Sequence, residues 1–150
     1  MQVIHRDITF RVATTADAEF IYRVVEVTMR SYVEQIWGSF SEEYNRKNIV
    51  ETIAAKNYSI IEYHGEDIGA ISIERHPDFI QLTQIFILPS HQNRGIGTTL
   101  VRELARESRQ SGKPVRLRVL RTNPARRLYE REGFQVSSVT PERLYMELHA

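Results

Sequence analysis

In the first third of the chain, the spacing of apolar residues changes from the pattern of a strand to that of a helix. Ile8 to Ala13 form a predicted short strand, and Thr14 to Asp17 match the capping box that opens a helix. The apolar residues that follow share one helical face and predict a first helix ending near Met29: Phe20, Ile21, Val24, Val25 and Met29. Gly38 breaks an aromatic segment over 31–44, and a second helix is predicted from Ser41 to Ala55.

The middle of the chain has the composition and alternation of strands. From Tyr58 to Leu88 the pattern predicts three strands with turns near 64–67 and 76–78, and therefore an antiparallel meander. The third strand ends in the continuous apolar run Ile85 to Leu88, which is typical of a strand buried on both faces. Pro89 ends that strand.

A glycine-containing loop over 92–98 then leads into an amphipathic helix that ends at Gly112. Apolar and arginine residues alternate from Val115 to Leu120, as in a strand. Asn123 is predicted to be the N-cap of a further helix, with Pro124 as its first residue. That helix is predicted to end at Gly133, and two short strands near 134–138 and 143–148 finish the chain.

Composition narrows the class of protein. The 150 residues match the size of one domain, so we expect a single domain over 1–150. A net charge of +1 provides no general field for nucleic acid or an anionic membrane. The sequence has no cysteine, and no apolar run long enough for a signal peptide or a membrane span, so we expect a cytoplasmic location. The five histidines lack metal-ligand spacing, so we expect no metal site.

The 92–98 loop is a candidate anion site. A strand, a glycine-containing loop and a helix together direct free backbone N–H groups at an anion. Gly95 and Gly97 allow close approach of the backbone, and Arg94 adds a positive charge. The loop lacks the lysine of a P-loop and the third glycine of a Rossmann fingerprint. By itself it also fits a helix N-terminus that tolerates two glycines, or a nucleotide site.

Two longer segments resemble the GNAT superfamily of N-acetyltransferases. The first is IFILPSHQNRGIG, where Gln92, Gly95 and Gly97 match the family's Q/R-x-x-G-x-G/A loop. The second is NPARRLYEREGF, from Asn123 to Phe134, and the opening FRVATTAD is similar to the usual family start. The resemblance implies an α/β (α+β) fold: a mixed, mostly antiparallel central sheet of about six to seven strands flanked by about four helices.

The resemblance also implies acetyl-CoA as the cofactor, with coenzyme A as the product. It assigns the pyrophosphate to the loop, whose residues are Gln92, Asn93, Arg94, Gly95, Ile96, Gly97 and Thr98. It assigns the pantetheine arm to the backbone of a splayed strand at Ile85, Phe86 and Ile87, and a further cofactor contact to Asn123. The reaction implied is direct transfer of acetyl to a primary amine of a small molecule, amino acid or peptide.

Tyr129 is the candidate catalytic residue, because a phenol stays protonated at neutral pH and can donate to a departing thiolate. The alternative is an aromatic side chain that only packs on its helix. Gln84 stands where some relatives place an acidic residue, and a glutamine cannot act as a base. Glu74 and His76 on the neighbouring strand are weaker candidates, so no base is assigned.

Acceptor binding is predicted for the aromatic segment, through Tyr32, Glu34 and Trp37. A carboxylate beside aromatic rings suits a cationic amine. The alternative is that Trp37 packs in the core while Glu34 faces solvent. Two other functions stay open: a catalytically weak acyl-CoA-binding or regulatory module, and a nucleotide-binding protein. A homodimer stays open as the assembly.

Overall fold

The computed structural model describes residues 7–150, which form seven strands and four helices. The strands are β1 (Ile8–Val12), β2 (Tyr58–Tyr63), β3 (Glu66–Arg75), β4 (Ile80–Ile87), β5 (Val115–Leu120), β6 (Gln135–Val139) and β7 (Arg143–Leu148). The helices are α1 (Ala18–Trp37), α2 (Glu42–Ala54), α3 (Ile96–Ser111) and α4 (Arg126–Arg131). Short 3₁₀ turns lie at Thr15–Asp17 and Pro89–His91.

All seven strands join one sheet in the order β1-β2-β3-β4-β5-β7-β6. Every neighbouring pair is antiparallel except β4 and β5, which run parallel. The mixed, mostly antiparallel sheet with four helices confirms the predicted fold class.

Each face of the sheet carries its own hydrophobic cluster, because successive strand residues point to opposite sides. On β3, Ile71 and Ile73 pack in the cluster that includes α3, whereas Ala70 packs in the cluster that includes α1 and α2. The predicted burial of β4 on both faces is confirmed. Phe86 belongs to the α1 cluster, while Ile85 and Ile87 pack against the α3 cluster.

The prediction that the first helix ends near Met29 was wrong, because α1 continues to Trp37. Arg30 forms ion pairs with Glu26 and Glu34 one turn away on either side, which supports the extra turns. The helix ends at Gly38, whose φ of 80° is left-handed and whose N–H bonds to Glu34 O at 2.8 Å. The aromatic segment is therefore mostly helix.

The prediction that Asn123 is the N-cap of the last helix was also wrong. α4 begins at Arg126, and Asn123 lies in the turn before it rather than at its N-cap. The turn is tight because Arg127 N–H bonds to Pro124 O and Leu128 N–H to Ala125 O, each three residues back. Asn123 Oδ1 accepts from Ala125 N–H at 2.9 Å and stabilises this entry. Ser41 is the N-cap of α2 and accepts from Tyr44 N–H, so this helix begins one residue after its predicted start.

No helix within residues 7–150 is long and apolar enough to cross a bilayer.

Candidate active site

A gap opens between the two parallel strands. β4 and β5 pair only where residues 80–82 face residues 115–117. Beyond Leu82, β4 continues to pair with β3 as far as Ile87 but leaves β5. The divergence begins at a bulge, because Ser72 of β3 pairs with Gln84 and the next residue with Leu82, which leaves Thr83 as the extra residue. One edge of the second half of β4 is thus open.

A cavity of about 680 Å³ occupies this gap. Its walls include Thr83 to Phe86 of β4, Leu117 to Leu120 of β5 and parts of α1 and α2. Asn123 and Tyr129 also line it. The cavity therefore joins the open strand edge to the segment that carries the second motif.

The 92–98 loop begins at the end of β4 and is tied to it. Gln92 Nε2 donates to Ile87 O at 2.8 Å. Asn93 and Gly95 have left-handed backbones, with φ of 62° and 80°. These two left-handed residues redirect the chain into α3, for which Gly95 is the N-cap. Gln92 thus positions the loop through its side chain.

The first turn of α3 presents free backbone donors. An α-helix leaves the N–H groups of its first residues without intrahelical partners, and here these belong to Ile96, Gly97 and Thr98. Thr99 N–H is bonded, to Gly95 O at 3.0 Å. A Cβ at Gly97 would make only an ordinary contact, 3.4 Å from Leu128 Cδ2, so α3 lies beside α4 at this position. The geometry fits the predicted anion site.

Asn123 keeps a donor available toward the cavity. While its Oδ1 is occupied by Ala125 N–H, its Nδ2 has, among residues 7–150, only the sulfur of Met29 at 3.8 Å as a partner. A thioether is a weak acceptor. The amide can therefore form a stronger hydrogen bond with a ligand in the cavity.

Tyr129 is buried, with 6% of its surface exposed, and its ring packs edge-on against Phe134 with centroids 5.8 Å apart. Its hydroxyl has no hydrogen-bond partner in the part of the chain that the structure describes, although the residue lines the cavity. Burial raises the pKa of Tyr129 to about 12. The phenol is thus held protonated beside an open space.

The cavity wall also contains three charged residues, of which sequence reasoning considered only Glu74, as a weaker candidate for the base. Among the described residues that line the cavity, Glu74 of β3 is the one carboxylate, and Arg118 of β5 and Arg143 of β7 are the two cations. Glu74 Oε1 lies 3.1 Å from His76 Nε2, and its side chain is 40% exposed. Gln84 lines the same cavity, so the acid that is missing from β4 has a counterpart on β3.

The predicted acceptor residues are separated by the structure. Trp37 lines the cavity, at the end of α1. Tyr32 and Glu34 are not part of its wall: Tyr32 O accepts from Thr122 Oγ1 at 2.9 Å, and Glu34 lies 3.9 Å from Arg30. Their predicted contact with the acceptor stays a prediction.

Two hydroxyls near the bulge have no partner. Thr83 Oγ1 is enclosed and makes no hydrogen bond to any residue of 7–150, and the same holds for Ser72 Oγ on the strand beside it. Thr83 is the bulge residue and also lines the cavity. A buried polar group without a partner is unfavourable.

Comparison with known proteins agrees with this geometry. The family model described as "Acetyltransferase (GNAT) domain" matches residues 54–136, which include β2 to β5, the loop and α4. Comparison with curated proteins finds no match.

Solved structures share the fold at low sequence identity. The PaiA N-acetyltransferase from Thermoplasma acidophilum, solved in complex with coenzyme A, is 21% identical with a TM-score of 0.71, over 95% of this chain and 99% of that one. A GNAT-family acetyltransferase from Streptococcus agalactiae is 15% identical with a TM-score of 0.76, over 97% and 96%. An acetyltransferase from Thermus thermophilus is 17% identical with a TM-score of 0.75, over 95% and 97%. The matched family model and the shared fold agree that this chain belongs to the GNAT family of acetyltransferases.

Proposed function

We propose that the chain, acting as one domain, transfers acetyl from acetyl-CoA directly to a primary amine. The observation that carries the proposal is the cavity at the open edge of β4, which Tyr129 also lines, together with the loop that leaves β4 and ends at the free amides of α3. Direct transfer is proposed because the sequence has no cysteine to carry the acetyl group.

Different residues suit successive parts of the cofactor, from the pyrophosphate to the reacting end. The N–H groups of Ile96, Gly97 and Thr98, with Arg94 beside them, would bind the pyrophosphate. The open backbone edge at Ile85 to Ile87 would bind the amide-containing arm, as a β-strand edge binds an extended chain. Asn123 Nδ2 would donate a further hydrogen bond. Bound acetyl-CoA would supply the acetyl group as an activated thioester.

We propose that two side chains of the cavity wall move protons at the reacting end. The raised pKa of Tyr129 keeps a proton on its Oη, which can be donated to a departing sulfur. Glu74 is the carboxylate of the cavity wall and is assigned the opposite task, to accept a proton from the incoming ammonium, either directly or through water. An acid and a base on one cavity are what amine acylation requires.

Binding and turnover test the proposal separately. Calorimetry should show that coenzyme A binds more tightly than ATP or NAD. Turnover should release free thiol when acetyl-CoA is mixed with a panel of amines, and the chain contributes no thiol of its own. Preference for ATP or NAD would contradict the cofactor assignment. Binding of coenzyme A without turnover of any amine would instead identify a binding module.

A further inference from the structure

The cavity wall that faces α1 carries more positive than negative charge. Arg118 and Arg143 line it together with the single carboxylate Glu74. Neither guanidinium forms an ion pair with any residue of 7–150, whereas the neighbouring Arg116 pairs with Glu147 at 3.3 Å. The two arginines therefore have unused hydrogen-bonding capacity inside a concave site.

Sheet register places the two arginines side by side. Arg118 pairs with Tyr145, and Leu120 pairs with Arg143, on adjacent antiparallel strands. Arg118 and Arg143 are thus diagonal neighbours on one face, with Cβ atoms roughly 7–8 Å apart or less. Because Leu117 and Val119 pack in the α3 cluster, this face is the opposite one, toward α1. Both side chains can reach a single group there.

Trp37 holds one of the arginines in place. The Arg143 guanidinium carbon lies 5.2 Å from the centre of the Trp37 ring, within the range of a cation–π contact. A guanidinium oriented by a ring loses less entropy when it binds a planar oxyanion. The contact gives Trp37 the role of positioning Arg143. The sequence pattern had instead predicted that Trp37 contacts a cationic amine directly.

We infer that Arg118 and Arg143 bind an anionic group of the acceptor, so that the preferred substrate is an amine that also carries a carboxylate or phosphate. The inference rests on the proposed function. Glu74, on β3 and separated from β5 only by β4, lies across roughly 10 Å of sheet and would face the ammonium end. Two guanidiniums against one carboxylate disfavour an acceptor that carries only positive charges.

Matched amines test the inference. Lysine is compared with 1,5-diaminopentane, and phosphoethanolamine with ethanolamine, so that each pair differs only in the anionic group. For wild-type protein we expect kcat/KM to be roughly ten- to hundredfold higher for the anionic member of at least one pair. The pair with the larger ratio of kcat/KM values shows whether the preferred anion is a carboxylate or a phosphate.

Substitutions locate the effect. Arg118→Gln and Arg143→Gln should each raise KM for the anionic amine at least roughly tenfold. The KM for the matched amine without the anionic group should stay unchanged. Arg143→Lys should restore part of the preference, because a point charge replaces the planar fork. Arg109→Gln is the control, since this arginine is exposed on α3 away from the cavity. Coenzyme A affinity should stay at its wild-type value in all four variants.

Two failures can be told apart. If wild-type protein does not bind coenzyme A, the proposed function itself is refuted. If coenzyme A binds but both members of each pair react equally, the inference alone is overturned. Where turnover is slow, the same pairs are titrated into coenzyme A-loaded protein by calorimetry, and equal or undetectable binding of the anionic members also overturns it.

Discussion

Removing the hydroxyl of Tyr129 should separate its chemical role from its structural one. The ring is buried against Phe134, and phenylalanine would keep that packing. Because the hydroxyl bonds to nothing within the described residues, Tyr129→Phe removes no internal hydrogen bond. We therefore expect the free energy of unfolding to change by no more than about 0.5 kcal/mol.

Catalysis should respond very differently to the same change. A positioned general acid contributes about 10²–10⁴-fold to a rate, which corresponds to about 2.7–5.4 kcal/mol of activation free energy. We expect kcat to fall at least about a hundredfold in Tyr129→Phe. The affinity for coenzyme A should stay within about twofold, because the backbone amides of the loop and α3 are untouched.

Thiol release from acetyl-CoA measures kcat, and urea unfolding measures stability on the same samples. The control is Tyr22→Phe, a buried tyrosine on α1 outside the cavity wall whose hydroxyl bonds to Glu26. It should keep its activity. A fall in kcat of less than about fivefold in Tyr129→Phe would refute the acid role. A large loss of unfolding free energy would show that the hydroxyl has a structural partner.

Three further results are expected. Glu74→Gln should lower kcat at neutral pH by about 10²-fold or more without changing coenzyme A affinity, and unchanged kcat in steady-state kinetics would exclude this carboxylate as the base. Gly95→Ala should cost about 1–2 kcal/mol of stability because its φ is 80°, and calorimetry should show weaker coenzyme A binding. Gly112→Ala, at the other end of α3 with φ of 70° and equally open space, is the matched control and should cost similar stability but bind coenzyme A normally. Finally, the folded-state pKa of Tyr129, about 12, exceeds its ordinary value near 10, so the protonated phenol stabilises the fold below about pH 10. That contribution is lost as pH rises from 10 to 12, and urea unfolding across this window should show a smaller loss in Tyr129→Phe.

Local patterns were sufficient for most of the fold. Apolar periodicity, turn residues and capping residues together predicted the seven strands and four helices of the described residues, including β6, whose five residues are all exposed. The end of α1 was misjudged because the aromatic residues beyond Met29 were interpreted as a bend, although charges one turn apart continue the helix. Ion pairs along a helix are a weaker signal than the apolar stripe, and here they support the turns that lead to the true boundary at Gly38.

The cofactor half of the candidate site could be proposed from the sequence because its parts are contiguous. The loop over 92–98 and the segment from Asn123 to Tyr129 each form a motif within a few residues. The charged wall could not be found in this way. Glu74, Arg118 and Arg143 come from three strands, and only the register of the sheet brings them to one cavity.

The bulge at Thr83 explains why that register was hidden. On β4, the apolar residues of one face are Ile80, Leu82, Ile85 and Ile87. They follow each other at a spacing of two residues, except that Leu82 and Ile85 are three residues apart. All four pack with the α3 cluster, which requires one extra residue between Leu82 and Ile85. The interruption is the sequence signal of the bulge. Because the bulge is also where β4 leaves β5, the same extra residue opens the cavity and determines which side chains of the neighbouring strands can reach it.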